Sequence, residues 1–399
     1  MHAALSISMI SLLAFGVGFA TQRGSVCGLL AARQIVETGR ATRLLAFVTA
    51  SLWALVIVVP LSWVTRGSFV LSPSYDAAAI AVIGGALYGL GTSLNGACMF
   101  GTLSRIASGN LSFIAALPGI ALGARVGTTI ASPYLAFTLR SPLREPSLGG
   151  FALLLLAAGL VGLTAAGIIR THRRAGLHVG QVLRAARWPT SVAMTIIGVL
   201  GGLLFATGAP WSYSTLLRLG EHQEATLATA TIVAPLGALA GALAAAALGG
   251  RFALRAPSGV QLGRSLIGGG IMGFAIILVP GGNATLLLSA LPSLARHGAL
   301  AYLSMLSVQV LLAMVAKQWK QHNLRAATAA RDHLLKRSLE ASRAALVPSS
   351  RRNPEKFQEP SSAMRVTVRT TLMFDSGSSE LLVIVSSQSS WWMPKTCHG

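Results

Sequence analysis

Nine apolar stretches, at about 3–22, 41–64, 77–98, 111–131, 148–169, 190–208, 225–248, 262–280 and 298–316, alternate with short polar segments along the chain. Each approaches the roughly 17–25 residues that a helix needs to cross the hydrocarbon core of a bilayer. The pattern predicts an all-α polytopic membrane protein of about nine transmembrane helices. Shorter apolar pieces follow Arg23, Met99, Trp211 and Asn283. They are too brief to cross and read as broken or re-entrant helices rather than loops. Trp63, Trp188 and Trp319 fall at span ends, where amphipathic rings anchor at the interface. The first stretch has no positive segment ahead of it, so it reads as a span rather than a cleaved signal. Residues 317–347 read as a basic amphipathic helix on the cytoplasmic surface. From 348 the chain turns polar and serine-rich, and a solvated tail is expected over any strands at Val366–Phe374 and Glu380–Val385.

The pattern also repeats. Phe19-Ala20-Thr21 recurs as Phe205-Ala206-Thr207, and Gly84-Gly85-Ala86-Leu87-Tyr88-Gly89 as Gly268-Gly269-Gly270-Ile271-Met272-Gly273, at offsets of 186 and 184 residues. Chance likeness between glycine-rich spans is the competing explanation, but two matches share nearly one offset. Spans one to four then correspond to spans six to nine. Five spans precede the second copy, so the copies lie in opposite orientations, an inverted repeat with the substrate site at the repeat interface. The expected organisation is a first transmembrane repeat at 1–147, a linking helix and basic loop at 148–189, a second repeat at 190–320, and the amphipathic helix with its tail at 321–399.

Charge sharpens this picture. Of 399 residues 53% are hydrophobic and only 11% charged, against roughly a quarter charged in soluble domains. The net charge of +21 would suit nucleic acid, but its placement points elsewhere. Up to residue 320 the cations are nineteen arginines with Lys317 and Lys320, against five acids, Glu37, Asp76, Glu145, Glu221 and Glu224, all outside the apolar stretches. That excludes a buried carboxylate pair, a carboxylate metal cluster and an intramembrane acid relay. No phosphate-loop motif is present, so the chain is neither an ATPase nor a carboxylate acid/base enzyme, and no cofactor is implied. With the N-terminus outside, thirteen arginines flank the spans on the inner side and five on the outer. The positive-inside rule then sets the C-terminus in the cytoplasm of a cell inner membrane protein.

The candidate chemistry lies in two glycine-rich motifs. Gln22-Arg23-Gly24-Ser25-Val26-Cys27-Gly28 places a thiol between close-approach glycines, with Arg23 supplying potential for an anion or a thiolate. A small apolar cysteine at a helix end, beside a positive-inside arginine, is the alternative. The second motif runs from Gly84 through Asn95-Gly96-Ala97-Cys98-Met99-Phe100-Gly101-Thr102. Its glycine density predicts a helix break and a half-helix starting near Cys98, with amide donors aimed inward at an anion. Gly281-Gly282-Asn283 marks a matching break in the second half, although close glycine packing would use similar spacing. Arg125, in the fourth stretch, is either functional or snorkels to the interface. The histidines lack metal-ligand spacing, and three cysteines, Cys27, Cys98 and Cys397, make no disulfide framework.

With these motifs on view, the chain resembles the YeeE/YedE sulfur-transport family, whose members include thiosulfate transporters. The likeness runs over residues 3–317, strongest at the two cysteine motifs and at Gly208-Ala209-Pro210-Trp211-Ser212-Tyr213. The resemblance implies nine spans with short partly buried helices, and cysteines that pass thiosulfate along a central pathway through weak S–H contacts. Cys27 and Cys98 match two of those cysteines. Gly282 stands where the family has the third. The implied substrate-binding set is Cys27, Cys98, Gly96, Gly101, Gly281, Gly282, Asn283 and Arg23. The expected partners are thiosulfate or a similar sulfur anion, the lipid bilayer and a cytoplasmic sulfur-carrier protein, with no nucleic acid. Two further possibilities stay open: a membrane-embedded thiol redox or sulfur-transfer protein using the same cysteines, and a helical scaffold within a larger complex.

Overall fold

The computed structural model describes residues 2–65, 71–75, 78–131, 138–139, 141–174, 176, 179–207, 225–279 and 281–345. The piece at 208–213, the loop residues Arg66, Asp76, Arg140, His178, Arg218, Glu221 and Glu224, and the tail with Cys397 and its expected strands lie outside the described residues.

Each apolar stretch lies on a helix. In chain order these are α1 (His2–Gly24), α3 (Thr42–Val64), α4 (Ala78–Asn95), α6 (Ala116–Ala131, led by a 3-10 turn at Leu111–Ala115), α7 (Leu148–Arg174), α9 (Thr190–Ala206), α10 (Ala225–Leu248), α11 (Gly259–Leu278) and α13 (Arg296–Ala345). Short helices lie between them: α2 (Gly28–Thr38), α5 (Met99–Ala107), α8 (Val179–Arg184) and α12 (Asn283–Thr285, continued by a π-turn at Leu286–Ala290). Among the described residues, six helical segments are long and apolar enough to cross a membrane, and Thr190–Ala206 and Ile232–Leu248 are shorter apolar helices. The chain is thus an all-α membrane protein. One element outside that class is a two-residue antiparallel ladder, β1 (Ser74–Tyr75) with β2 (Thr138–Leu139).

Small residues set how closely the helices approach. A Cβ on Gly18 of α1 would lie 1.8 Å from the Ala238 carbonyl oxygen of α10, and one on Gly123 of α6 would lie 1.9 Å from that of Gly270 on α11. Gly85 of α4 meets the Ala301 carbonyl of α13 at 2.3 Å in the same sense. Backbones that touch this closely gain dispersion contact that larger side chains would prevent. The glycines at 84–91 therefore serve packing, while the helix break belongs to residues further along.

Three breaks share one form. After α1, Ser25 turns the chain at φ +48; after α4, Gly96 does so at φ +80; after α11, Gly281 does so at φ +114. An extended residue follows each turn and N-caps the next short helix: Cys27 for α2, Cys98 for α5 and Gly282 for α12. Cys98 at φ −78, ψ −179 and Gly282 at φ −90, ψ −172 have nearly the same backbone conformation, and they are separated by the 184-residue offset of the sequence repeat.

Two expectations resolve differently from their sequence reading. The last span and the basic helix after it form one unbroken helix, α13, because no glycine or proline interrupts the chain from Ala299 to Ala345. Arg125 is exposed on α6, so it contributes nothing to the interior. By backbone proximity the chain divides into Met1–Ala326 and Ala327–Gly399, and in the second unit every described side chain from 327 to 340 is exposed.

Candidate functional site

The α1–α2 corner is fastened by its own motif. Gln22 is buried, and its side-chain amide donates to the Ser108 hydroxyl at 2.8 Å while its carbonyl oxygen accepts from Ser104, so one side chain clamps α1 to α5. Arg23 is 5% exposed; it donates to the Ala185 carbonyl at 2.6 Å and lies over the Phe19 ring. Its own carbonyl accepts from the Trp188 amide at 3.0 Å. Arg23 therefore ties α1 to the α8–α9 linker rather than facing the cavity described below.

The clamp brings the two N-caps together. The Gly28 amide donates to Cys98 Sγ at 3.3 Å, and the Cys27 and Cys98 side chains are neighbours. Neither is in a disulfide. Cys98 Sγ accepts across the break while the cysteine carbonyls start the helices: Cys27 O accepts from Leu30 and Ala31, and Cys98 O accepts from Thr102 at 2.7 Å. Gly101 makes the arrangement possible, because a Cβ there would lie 2.8 Å from Cys27 Sγ.

Beyond the thiols lies a buried polar layer. Asn283, at the start of α12, is fully buried, and neither atom of its amide has a hydrogen-bond partner among the described residues. A Cβ on Gly28 would lie 3.4 Å from Asn283 Nδ2 and 3.9 Å from Gln309 Oε1. Gln309 donates to Thr92 Oγ1 at 2.8 Å and leaves its buried Oε1 unpartnered. Gly282 faces Tyr88 and Met99, whose nearest atoms are 3.3 and 3.5 Å from where its Cβ would be. Asn95 secures the second break by donating to the Ala97 carbonyl and to Thr102.

On the opposite side of the thiols opens a cavity of about 490 Å³, with Cys27, Gly96 and Gly101 in its lining. Arg105 of α5, Arg187 of the α8–α9 linker, and Arg251 and Arg255 of the α10–α11 linker wall it, with Ser25, Ser104, Ser108 and Asn110 between them. Among the described residues no carboxylate lines it. Arg251 donates to the Gln22 carbonyl at 3.3 Å and to Ser25 Oγ at 3.1 Å. Burial, with the nearby charges of Arg187 and Arg23, pulls the Arg251 guanidinium below its ordinary value. The α10–α11 linker is held in place by backbone bonds from Ala253 to Ser108 and from Arg255 to Gly109.

The predicted residues thus fall into groups. Cys27, Gly96 and Gly101 face the cavity; Cys98 is fully buried against Cys27; Gly282 and Asn283 lie in the buried polar layer; Gly281 makes the break; Arg23 stands apart. Among the described residues no three metal-ligating side chains cluster.

A family model described as sulphur transport matches residues 23–311. The chain belongs to the sulphur transport (YeeE/YedE) family. No curated protein matches it. The sulphur-transport match takes in both N-cap cysteines, Gly282 and Asn283, and all four cavity arginines, and it ends within α13. Sequence reasoning passed over the arginines as an orientation signal and passed over Gln309 altogether. The available clue was that Arg105, Arg187, Arg251 and Arg255 come from three separate segments assigned to one side of the membrane, with no acid there to pair them.

Proposed function

We propose that this protein takes up thiosulfate or a related small sulfur-containing anion across the cell inner membrane, through a pathway running past Cys27 and Cys98 between two inverted repeats. The N-terminus is outside and the C-terminus cytoplasmic, so the arginine cavity is the inner mouth. One observation carries the reading: the free thiol of Cys27, at the N-cap of α2, lies at the floor of a cavity walled by guanidinium groups, with the free thiol of Cys98, at the N-cap of α5, buried beside it. Guanidinium charge attracts the anion, and the thiols contact its terminal sulfur through weak S–H interactions of roughly 1 kcal/mol or less. Weak contacts suit a path that must release what it admits. The matched N-caps at Cys98 and Gly282 support the repeat, and the nine helical stretches support nine spans. The family favours a transporter over an enzyme. A cytoplasmic sulfur-carrier protein is the proposed recipient.

The touching thiols also favour a second reading, a dithiol that exchanges with a disulfide or persulfide partner. Labelled thiosulfate uptake into proteoliposomes separates the two. Transport requires that wild-type protein load the vesicles and that Cys98→Ala, inserted to the same level, abolish loading. Uptake unchanged by that substitution would sink the thiol-contact mechanism.

A further inference from the structure

The thiol pair accounts for selecting sulfur but leaves the cavity beside it unexplained. Four arginines from three separate segments converge on about 490 Å³, and among the described residues no carboxylate lines the space to neutralise them. A water occupies about 30 Å³ of liquid, so the space holds an oxyanion together with part of its hydration shell. Arg251 is bonded to the Gln22 carbonyl and to Ser25, Arg105 lies over the Phe113 ring at 4.9 Å, and a backbone bond to Gly109 fixes where Arg255 leaves the chain. Arg105, Arg187 and Arg255 are exposed and Arg251 is half-buried, so their like charges repel through partly screening solvent, and a bound anion relieves that repulsion. Planar guanidinium groups match the oxygen edges of tetrahedral anions.

The geometry also separates this cavity from sulfur chemistry. Cys98 does not line it, and Cys27 is only 6% exposed at its floor. An anion held by the arginines needs no thiol.

We infer that the cavity is a binding site for multivalent oxyanions chosen by charge, which takes inorganic sulfate as well as thiosulfate and is independent of the cysteine pair. Where the transport reading holds, sulfate on the arginine side then competes with thiosulfate at the mouth without itself being carried, a consequence that rests on that reading; the binding does not.

The test is equilibrium dialysis of labelled sulfate against the purified full-length protein in detergent. Saturable binding is expected in wild type and, within about twofold, in Cys98→Ala, which removes the thiol pair without touching the cavity lining, while Arg255→Gln combined with Arg105→Gln weakens it by about tenfold or more. These two arginines are chosen because Arg251 also braces the α1–α2 corner; size-exclusion profile and melting temperature check that the variant is folded. Affinity should fall from about 0.1 M to about 1 M salt, as the screening length shrinks from roughly 10 to 3 Å. No saturable sulfate binding overturns the inference, as does binding that survives the arginine substitutions in folded protein or disappears in Cys98→Ala. Sulfate binding without thiosulfate uptake removes the transport reading and leaves the site; uptake without sulfate binding does the reverse.

Discussion

Gly101→Ala probes the seating of the Cys27 thiol with a change of one methyl group. In the interior of α5 this substitution should stabilise the helix by about 1 kcal/mol, because alanine loses less backbone entropy than glycine. The new methyl would lie 2.8 Å from Cys27 Sγ, 3.2 Å from Ala97 Cβ and 3.3 Å from Cys27 Cβ. Comfortable contact needs about 3.5–4.0 Å, so the thiol must retreat by about 0.7–1.2 Å from its place beside Cys98. Overpacking of that kind costs about 1–3 kcal/mol, so the net effect is a loss of roughly 0–2 kcal/mol, with the thiol pair separated. In a Cys27→Ala background the Sγ is gone, and the same substitution should become neutral or stabilising. That change of sign is a coupling of about 1–2 kcal/mol, large enough to read from melting temperatures in detergent across the four-protein cycle. Thiosulfate uptake should fall in the single variant Gly101→Ala. Additive stabilities across the cycle, together with wild-type uptake in Gly101→Ala, would refute the assignment of Gly101 as the residue that makes room for Cys27.

Two other substitutions test the buried polar layer. Gly282→Cys restores a thiol at the third N-cap, where φ −90 suits any residue and the nearest groups, Tyr88 and Met99, are 3.3 and 3.5 Å from the new Cβ; uptake equal to or above wild type is expected, and a fall in well-inserted protein counts against the alignment of this position. Gln309→Leu removes a buried unpartnered oxygen and one hydrogen bond to Thr92, so stability should change by only about 1 kcal/mol while uptake drops; retained uptake would place Gln309 off the path.

How much of this was visible in the sequence depends on the range of the interaction involved. The helices follow from apolar runs of spanning length, and the breaks from glycine next to polar residues, so α5 and α12 were expected near where they lie. Both signals are local. The pairing of Cys27 with Cys98 is not, since it joins residues 71 positions apart by way of the Gln22 clamp onto Ser104 and Ser108. Gln22 was visible as part of a motif, but nothing in its neighbours says which helix it will bond. The arginine cavity was hidden for another reason: a positive-inside bias is a sum over loops, and it carries no information about which loops converge. The continuity of α13 is legible in retrospect, because the residues between span and basic helix, Val315-Ala316-Lys317-Gln318, contain no helix breaker.

On the transport reading, the closeness of the two thiols bears on how a pathway opens. Cys98 is fully buried and Cys27 is its neighbour on the cavity side, so an anion that passes from one layer to the other must part them. Little resists: the Gly28 amide donates to Cys98 Sγ, and the thiols are otherwise only neighbours. Weak sulfur bonds are suited to breaking and re-forming in each cycle. A covalent bond between the two sulfurs is not. Diamide, a mild thiol oxidant, should accept the two protons and two electrons released as Cys27 and Cys98 join, leaving a disulfide across the path. On the transport reading, uptake should stop when mass spectrometry shows that disulfide and return when dithiothreitol reduces it. On the redox reading the disulfide is a working intermediate and oxidation leaves turnover with a disulfide-exchanging partner intact. Undiminished thiosulfate uptake in fully disulfide-bonded protein would mean that the anion does not travel between Cys27 and Cys98.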